Sequence, residues 1–169
     1  MDIPWLYELK SGQLDCPIVH ARRVKLPDSV PVPTEDELLT VFKTDGFKLQ
    51  TWARTVGEDG KIVKENDPHW IAVRGQTPLH LDPSYPRYSH HLKVRVDPGI
   101  SARGLNKVEL PLARGTFYVL DTHSPHQVMS KSKTAWNVAV SIDSSEKLDF
   151  DEAFQRCLNY AMTHTVLDE

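Results

Sequence analysis

Two cysteines and eight glycines in 169 residues leave no basis for a disulfide-built or glycine-rich architecture. Cys16 and Cys157 stand far apart, without redox or zinc-site spacing, and read as reduced thiols of a cytoplasmic protein. No run approaches the ~18 consecutive apolar residues of a membrane-spanning helix. Met1-Asp2-Ile3-Pro4 has no basic stretch ahead of an apolar one, so no secretory signal is expected. A formal net charge of −3 lacks the basic excess of a broad nucleic-acid surface, and duplex nucleic acid is not an expected partner. Two enzyme signatures are missing as well. No Gly-x-Ser-x-Gly elbow supports a Ser/His/Asp hydrolase, and no Gly-rich phosphate loop supports a nucleotidase. Repeats, low-complexity tracts and internal linkers are also absent.

What remains is the composition of one soluble globular domain, 40% hydrophobic and 25% charged. Residues 1–45 read as an N-terminal extension, rich in proline, with a strand near Ile18–Val24 and a helix from about 35 to 44. Thr34-Glu35-Asp36-Glu37 opens that helix as a capping box. Residues 46–143 read as the core. Phe47–Val56, Trp70–Val73, His91–Val96, Lys107–Leu112, Thr116–Leu120 and Ala135–Ile142 are short alternating or β-branched runs between turn signals, such as Gly57-Glu58-Asp59-Gly60. Many short strands at close spacing predict a sandwich or barrel. Residues 144–169 carry a helix from about 147 to 164, capped by Ser144 or Ser145. Phe150, Phe154, Cys157, Leu158, Ala161 and Met162 give it one apolar face.

The chemistry concentrates in His80-Leu81-Asp82 and in Asp121-Thr122-His123-Ser124-Pro125-His126, which follows a strand. Together they offer two imidazoles and one carboxylate from separate strand ends. That donor set holds a non-haem Fe(II) ion on one face and leaves positions open. His-x-Asp by itself is a weak signal in a chain with eight histidines. Its context carries the weight: Gly115-Thr-Phe-Tyr-Val-Leu-Asp121, His126-Gln-Val128 and Lys133-Thr-Ala-Trp-Asn-Val-Ala-Val-Ser-Ile-Asp143 follow in order.

Over roughly residues 70–143 this order resembles the Fe(II)/2-oxoglutarate-dependent dioxygenases. The resemblance implies a mainly β fold, a double-stranded β-helix or jelly roll, with the short N-terminal helix and the C-terminal helix packed outside. It implies a hydroxylase with Fe(II) and 2-oxoglutarate as cofactor and cosubstrate, and His80, Asp82 and His126 as ligands. His123 stays open as an alternative ligand or a supporting group. The family often grips the cosubstrate's distal carboxylate with an Arg on the strand after the distal His, and this chain has none there. Lys133, which shares a strand face with Asn137 by period two, Arg95, Lys93 and Arg74 are the alternatives.

Two other classes stay in view: a cupin-like metal isomerase or hydrolase using His80, Asp82, His123 and His126, and a non-catalytic jelly-roll binding protein. His69, His90 and His91 are expected at the surface or rim, Trp70 and Trp136 in the core, and Arg22, Arg23 and Lys25 on a solvated face. Neither the substrate nor the oligomeric state is legible at this level.

Overall fold

The computed structural model describes residues 2–8, 17–41, 65–82, 86–104 and 109–168. Among these residues, nine strands and two helices of more than one turn follow in the order β1 (Asp2–Glu8), β2 (Ile18–Val24), α1 (Glu35–Val41), β3 (His69–Arg74), β4 (Tyr88–Val96), β5 (Ile100–Arg103), β6 (Glu109–Pro111), β7 (Thr116–Asp121), β8 (Gln127–Ser130), β9 (Trp136–Ser144) and α2 (Phe150–Thr163). The expected strand Phe47–Val56, the turn after it and Cys16 lie outside the described residues. The architecture is mainly β, in two antiparallel sheets. One has six strands in the order β1-β2-β7-β4-β9-β3; the other has three, β6-β5-β8. Thus β1 and β2 extend the larger sheet. Among the described residues no helix is long and apolar enough to cross a membrane.

Side-chain alternation along each strand gives the larger sheet two different faces. On one, Leu92, Val94, Phe117, Val138 and Val140 join a core with α2 and with Leu38 of α1. On the other, Ile18, Ala21, Tyr118 and Leu120 meet Ile100, Ala102 and Leu110 of the smaller sheet. Because both faces are covered, every residue of β7 is buried. β4 keeps this alternation only to Val94. Lys93 pairs with Ala139, but Arg95 pairs with Val138, so one extra residue of β4 bulges between them. The turn into β7 requires Gly115. Its φ is +93°, and a Cβ there would sit 1.9 Å from the Val24 carbonyl oxygen. The Gly115 N–H donates to the Lys93 carbonyl, fixing that turn against β4.

The N-cap half of the expected capping box forms: the Glu37 N–H donates to Thr34 Oγ1 at 3.2 Å, and the Glu37 carboxylate accepts from the Thr34 hydroxyl at 3.0 Å. For α2 the cap differs from the sequence expectation. Ser144 ends β9, opposite Tyr88, and Asp149 caps the helix by accepting from the Glu152 N–H at 2.9 Å. The small residues Ala153, Cys157 and Ala161 are the deepest on α2 and let it lie close on β4 and β9. Met162, expected on the apolar face, is exposed.

Candidate metal centre and its cavity

β3 ends at Arg74, and after Gly75 the chain runs beside β8. The Thr77 N–H donates to the Val128 carbonyl at 3.0 Å, and the Val128 N–H donates to Thr77 Oγ1 at 2.8 Å. Further along, His80 and His126 form a bridge of two reciprocal main-chain hydrogen bonds, and the Asp82 N–H donates to the Thr122 carbonyl at 2.7 Å. Residues 80 and 82 share a side by the two-residue period, so both face the ring of His126. The turn carrying His126 is built on the buried Asp121 carboxylate. It accepts from Arg87 Nε and Nη2 at 3.2 and 3.0 Å, from the His123 N–H at 3.1 Å and from the Ser124 hydroxyl at 3.3 Å.

The structure brings His80, Asp82 and His126 together, one donor atom from each lying within 4.8 Å of the others. His80 Nδ1 is 2.6 Å from the Pro78 carbonyl oxygen and His126 Nδ1 is 2.8 Å from that of Ser124. A carbonyl oxygen only accepts, so each Nδ1 carries a proton, and in the neutral tautomer Nε2 is the atom left with its lone pair. Those two Nε2 atoms lie 3.5 Å from Asp82 Oδ1 and Oδ2 respectively. Two imidazoles oriented by backbone carbonyls, with a carboxylate beside them, suit a divalent transition ion. His123 is exposed and is not part of this group.

The group faces a partly open cavity of about 440 Å³ between the two sheets. Lys93 and Asn137, both expected as candidates, line it. Lys93 is 4% exposed, its Nζ lies 5.2 Å from the centre of the Tyr118 ring, and no carboxylate pairs with it among the described residues. Burial alone pulls its ammonium down to about 7. Burial pushes the Tyr118 phenol up, so its hydroxyl stays a donor. Asn137 is 2% exposed, and neither Nδ2 nor Oδ1 has a partner.

The other cation candidates lie elsewhere. Arg95 is held by Asp97 and by the Pro33 carbonyl oxygen, because the bulge after Lys93 turns it to the helix side. Arg74 pairs with Glu35 at 3.3 Å and lies over Trp136. Lys133 is exposed in the turn between β8 and β9.

The three histidines expected at the surface or rim are buried. His90 packs on the helix side, with Nδ1 at 3.0 Å from the Ile142 carbonyl oxygen and Nε2 accepting from the Leu148 N–H. His91 faces the cavity and bonds Ser141; burial first, then the nearby Lys93, holds its imidazole well below the usual range and therefore neutral. His69 is buried beside Asp143. Trp70 and Trp136 are core residues as expected, and Arg22 pairs with Asp151 at 2.6 Å.

Sequence reasoning passed over Tyr118, Arg103, Gln127 and Asp143, which also line the cavity. For β9 the signal was present: residues 137, 139, 141 and 143 share a face by period two. No family model, curated protein or solved structure matches the chain.

Proposed function

We propose that the protein is a dioxygenase dependent on ferrous iron and 2-oxoglutarate, acting as a hydroxylase in the cytoplasm. One observation carries the reading: a single cavity holds an open two-histidine, one-carboxylate donor set and a buried lysine with no carboxylate partner among the described residues. Such a donor set covers one face of an ion and leaves positions for a bidentate keto acid and for O₂. An unpaired buried ammonium is costly, and a ligand carboxylate relieves that cost. 2-Oxoglutarate has a chelating end and a second carboxylate, so it answers both features.

His80, Asp82 and His126 would hold the iron. When bound there, iron supplies the O₂ chemistry, with electrons from oxidation of the keto acid to succinate and CO₂. The chain does the rest. Lys93 grips the distal carboxylate as a point charge, and Tyr118 offers its ring face and a protonated hydroxyl beside it. His91, neutral and bonded to Ser141, forms a polar wall without adding charge.

The strand pairings support a jelly roll as the scaffold. They nest: β3 with β9, the segment through Thr77 and His80 with β8, β4 with β7, and β5 with β6. A long hairpin rolled into two facing sheets gives that order. A reducing cytoplasm suits both ferrous iron and the free thiol of Cys157.

The test is anaerobic titration of the protein with Fe(II) and then 2-oxoglutarate, watching for the weak visible metal-to-ligand charge-transfer band. One equivalent of each is expected to develop it. No band, together with no stabilisation by 2-oxoglutarate, overturns the reading.

A further inference from the structure

Two opposite charges line the cavity near the metal centre, and the proposed iron and keto acid use neither. Asp143 enters from β9. Its cross-strand partner is Ser89, which in turn pairs with Leu120, two residues before Thr122, whose carbonyl oxygen holds the Asp82 N–H. Arg103 enters from β5, opposite Gln127, the residue that follows His126. Both therefore lie at the end of the cavity that holds the donor set, on facing sheets.

Neither charge has an ionic partner of opposite fixed sign among the described residues. Asp143 Oδ1 accepts from the Ser89 hydroxyl at 2.7 Å, and Oδ2 lies 3.6 Å from His69 Nε2, too far for a hydrogen bond. No Lys or Arg reaches it. The Arg103 Nε is buried without a hydrogen bond, and Glu109 across the strand makes no ion pair with it.

We propose that the substrate is a free amino acid or a similar small zwitterion, its ammonium held by Asp143 and its carboxylate by Arg103. The assignment rests on the keto acid reading. In that complex the divalent ion, Asp82, the dianionic keto acid and Lys93 cancel in charge, which leaves Asp143 and Arg103 as a matched pair. A zwitterion satisfies both and leaves no net charge between the sheets, whereas an amine or an acid alone leaves one group unpaired. Arginine also suits a carboxylate by its planar fork. A cavity of about 440 Å³ has room for a small second ligand beside a five-carbon diacid.

The experiment uses the full chain loaded with Mn(II) and 2-oxoglutarate without oxygen. The twenty free amino acids are added one at a time and followed by calorimetry and by paramagnetic broadening of their proton signals. At least one is expected to bind and to broaden. Its N-acetyl and C-amide derivatives are each expected to bind at least about tenfold more weakly, a loss of ~1.4 kcal/mol. Asp143→Asn should erase the penalty for N-acetylation, and Arg103→Gln the penalty for amidation. Three results overturn the proposal: 2-oxoglutarate binds but no amino acid does, the blocked derivatives bind as well as the free acid, or both variants discriminate as wild type does. If 2-oxoglutarate itself fails to bind, the keto acid reading falls. The same titrations with Mn(II) alone then decide the zwitterion site.

Discussion

His80 and His126 are fixed to one another through their main chains: the His80 N–H donates to the His126 carbonyl at 3.0 Å and the His126 N–H to that of His80 at 2.7 Å. Their ring centres are 4.3 Å apart as a consequence of this backbone pairing. The spacing of two donors thus comes from the strand ladder and needs no metal to set it, which is how a rigid scaffold prepares a site. Removing a ring leaves the ladder in place. His80→Ala, Asp82→Ala and His126→Ala are therefore expected to fold. Each should lose Fe(II) affinity by more than the ~10–100-fold typical of a supporting residue. His123→Ala should bind iron as wild type does. Equilibrium dialysis with Fe(II) or Mn(II), alongside thermal melts of the metal-free proteins, checks both halves of the prediction.

The turn that presents His126 depends on Asp121, whose side chain is 1% exposed and accepts hydrogen bonds from Arg87, the His123 N–H and the Ser124 hydroxyl. Arg87 supplies two of them from a half-exposed position, and the carboxylate in turn raises the Arg87 guanidinium above its ordinary value. Taking Arg87 away leaves a buried carboxylate without its two guanidinium donors. Hydrogen bonds to charged groups contribute ~1.5–3 kcal/mol, so Arg87→Ala should destabilise the fold by about that amount or less. It should also weaken metal binding, because the turn carrying the His126 ring loosens. Denaturant melts and metal titration of one protein sample measure the two effects together. A stability loss with unchanged metal affinity would separate the turn from the site.

The donor set was legible because it needs only short spacing and strand ends. The lysine was harder to rank. Period two puts Lys93 and Arg95 on one face, yet the bulge between them sends Arg95 to Asp97 and Pro33 and leaves Lys93 in the cavity. A bulge is a property of the β4–β9 pair, and no local pattern in β4 announces it. Lys133 lies outside the cavity lining for a different reason: β9 starts at Trp136, so the strand face assumed for Lys133 does not reach it. Arg95→Ala and Lys133→Ala are accordingly expected to shift the 2-oxoglutarate dissociation constant by less than about twofold, ~0.4 kcal/mol. Lys93→Met should raise it by at least about thirtyfold, since truncating one partner of a buried charge pair costs ~2 kcal/mol or more. Calorimetry on the three variants ranks them directly.

The C-terminal helix shows the same division between what is local and what is not. Its periodic apolar face was readable, but its start was not, because β9 runs on through Ser144 by pairing with β4. Asp149 takes the cap, with Asp151 and Glu152 in the first turn adding a favourable helix-dipole term. Asp149→Ala should lower stability by about 1 kcal/mol, within the ~0.5–2 kcal/mol range of cap removals. Ser145→Ala, on the exposed link before it, should change stability by less than ~0.5 kcal/mol. Paired urea melts of the two variants distinguish the caps.

Lys93 also ties the proposed cosubstrate to pH. In the ligand-free protein its ammonium titrates at about 7, against an ordinary value of 10.5, because burial disfavours the charge. Between those values the unfolded chain keeps a proton that the folded chain has shed. Stability of the free protein should therefore rise with pH through this window, by up to ~1.4 kcal/mol per unit from this group. A bound carboxylate reverses the balance by favouring the charged lysine. At pH 8 the binding of 2-oxoglutarate should thus take up close to one proton, and its affinity should fall as pH rises above about 7. Calorimetry at pH 8 in buffers of different ionisation enthalpy reads the proton directly. Lys93→Met should abolish both the uptake and the added pH dependence while the metal site still fills. Binding at pH 8 with no proton taken up in wild-type protein would mean that Lys93 is not the group facing the distal carboxylate.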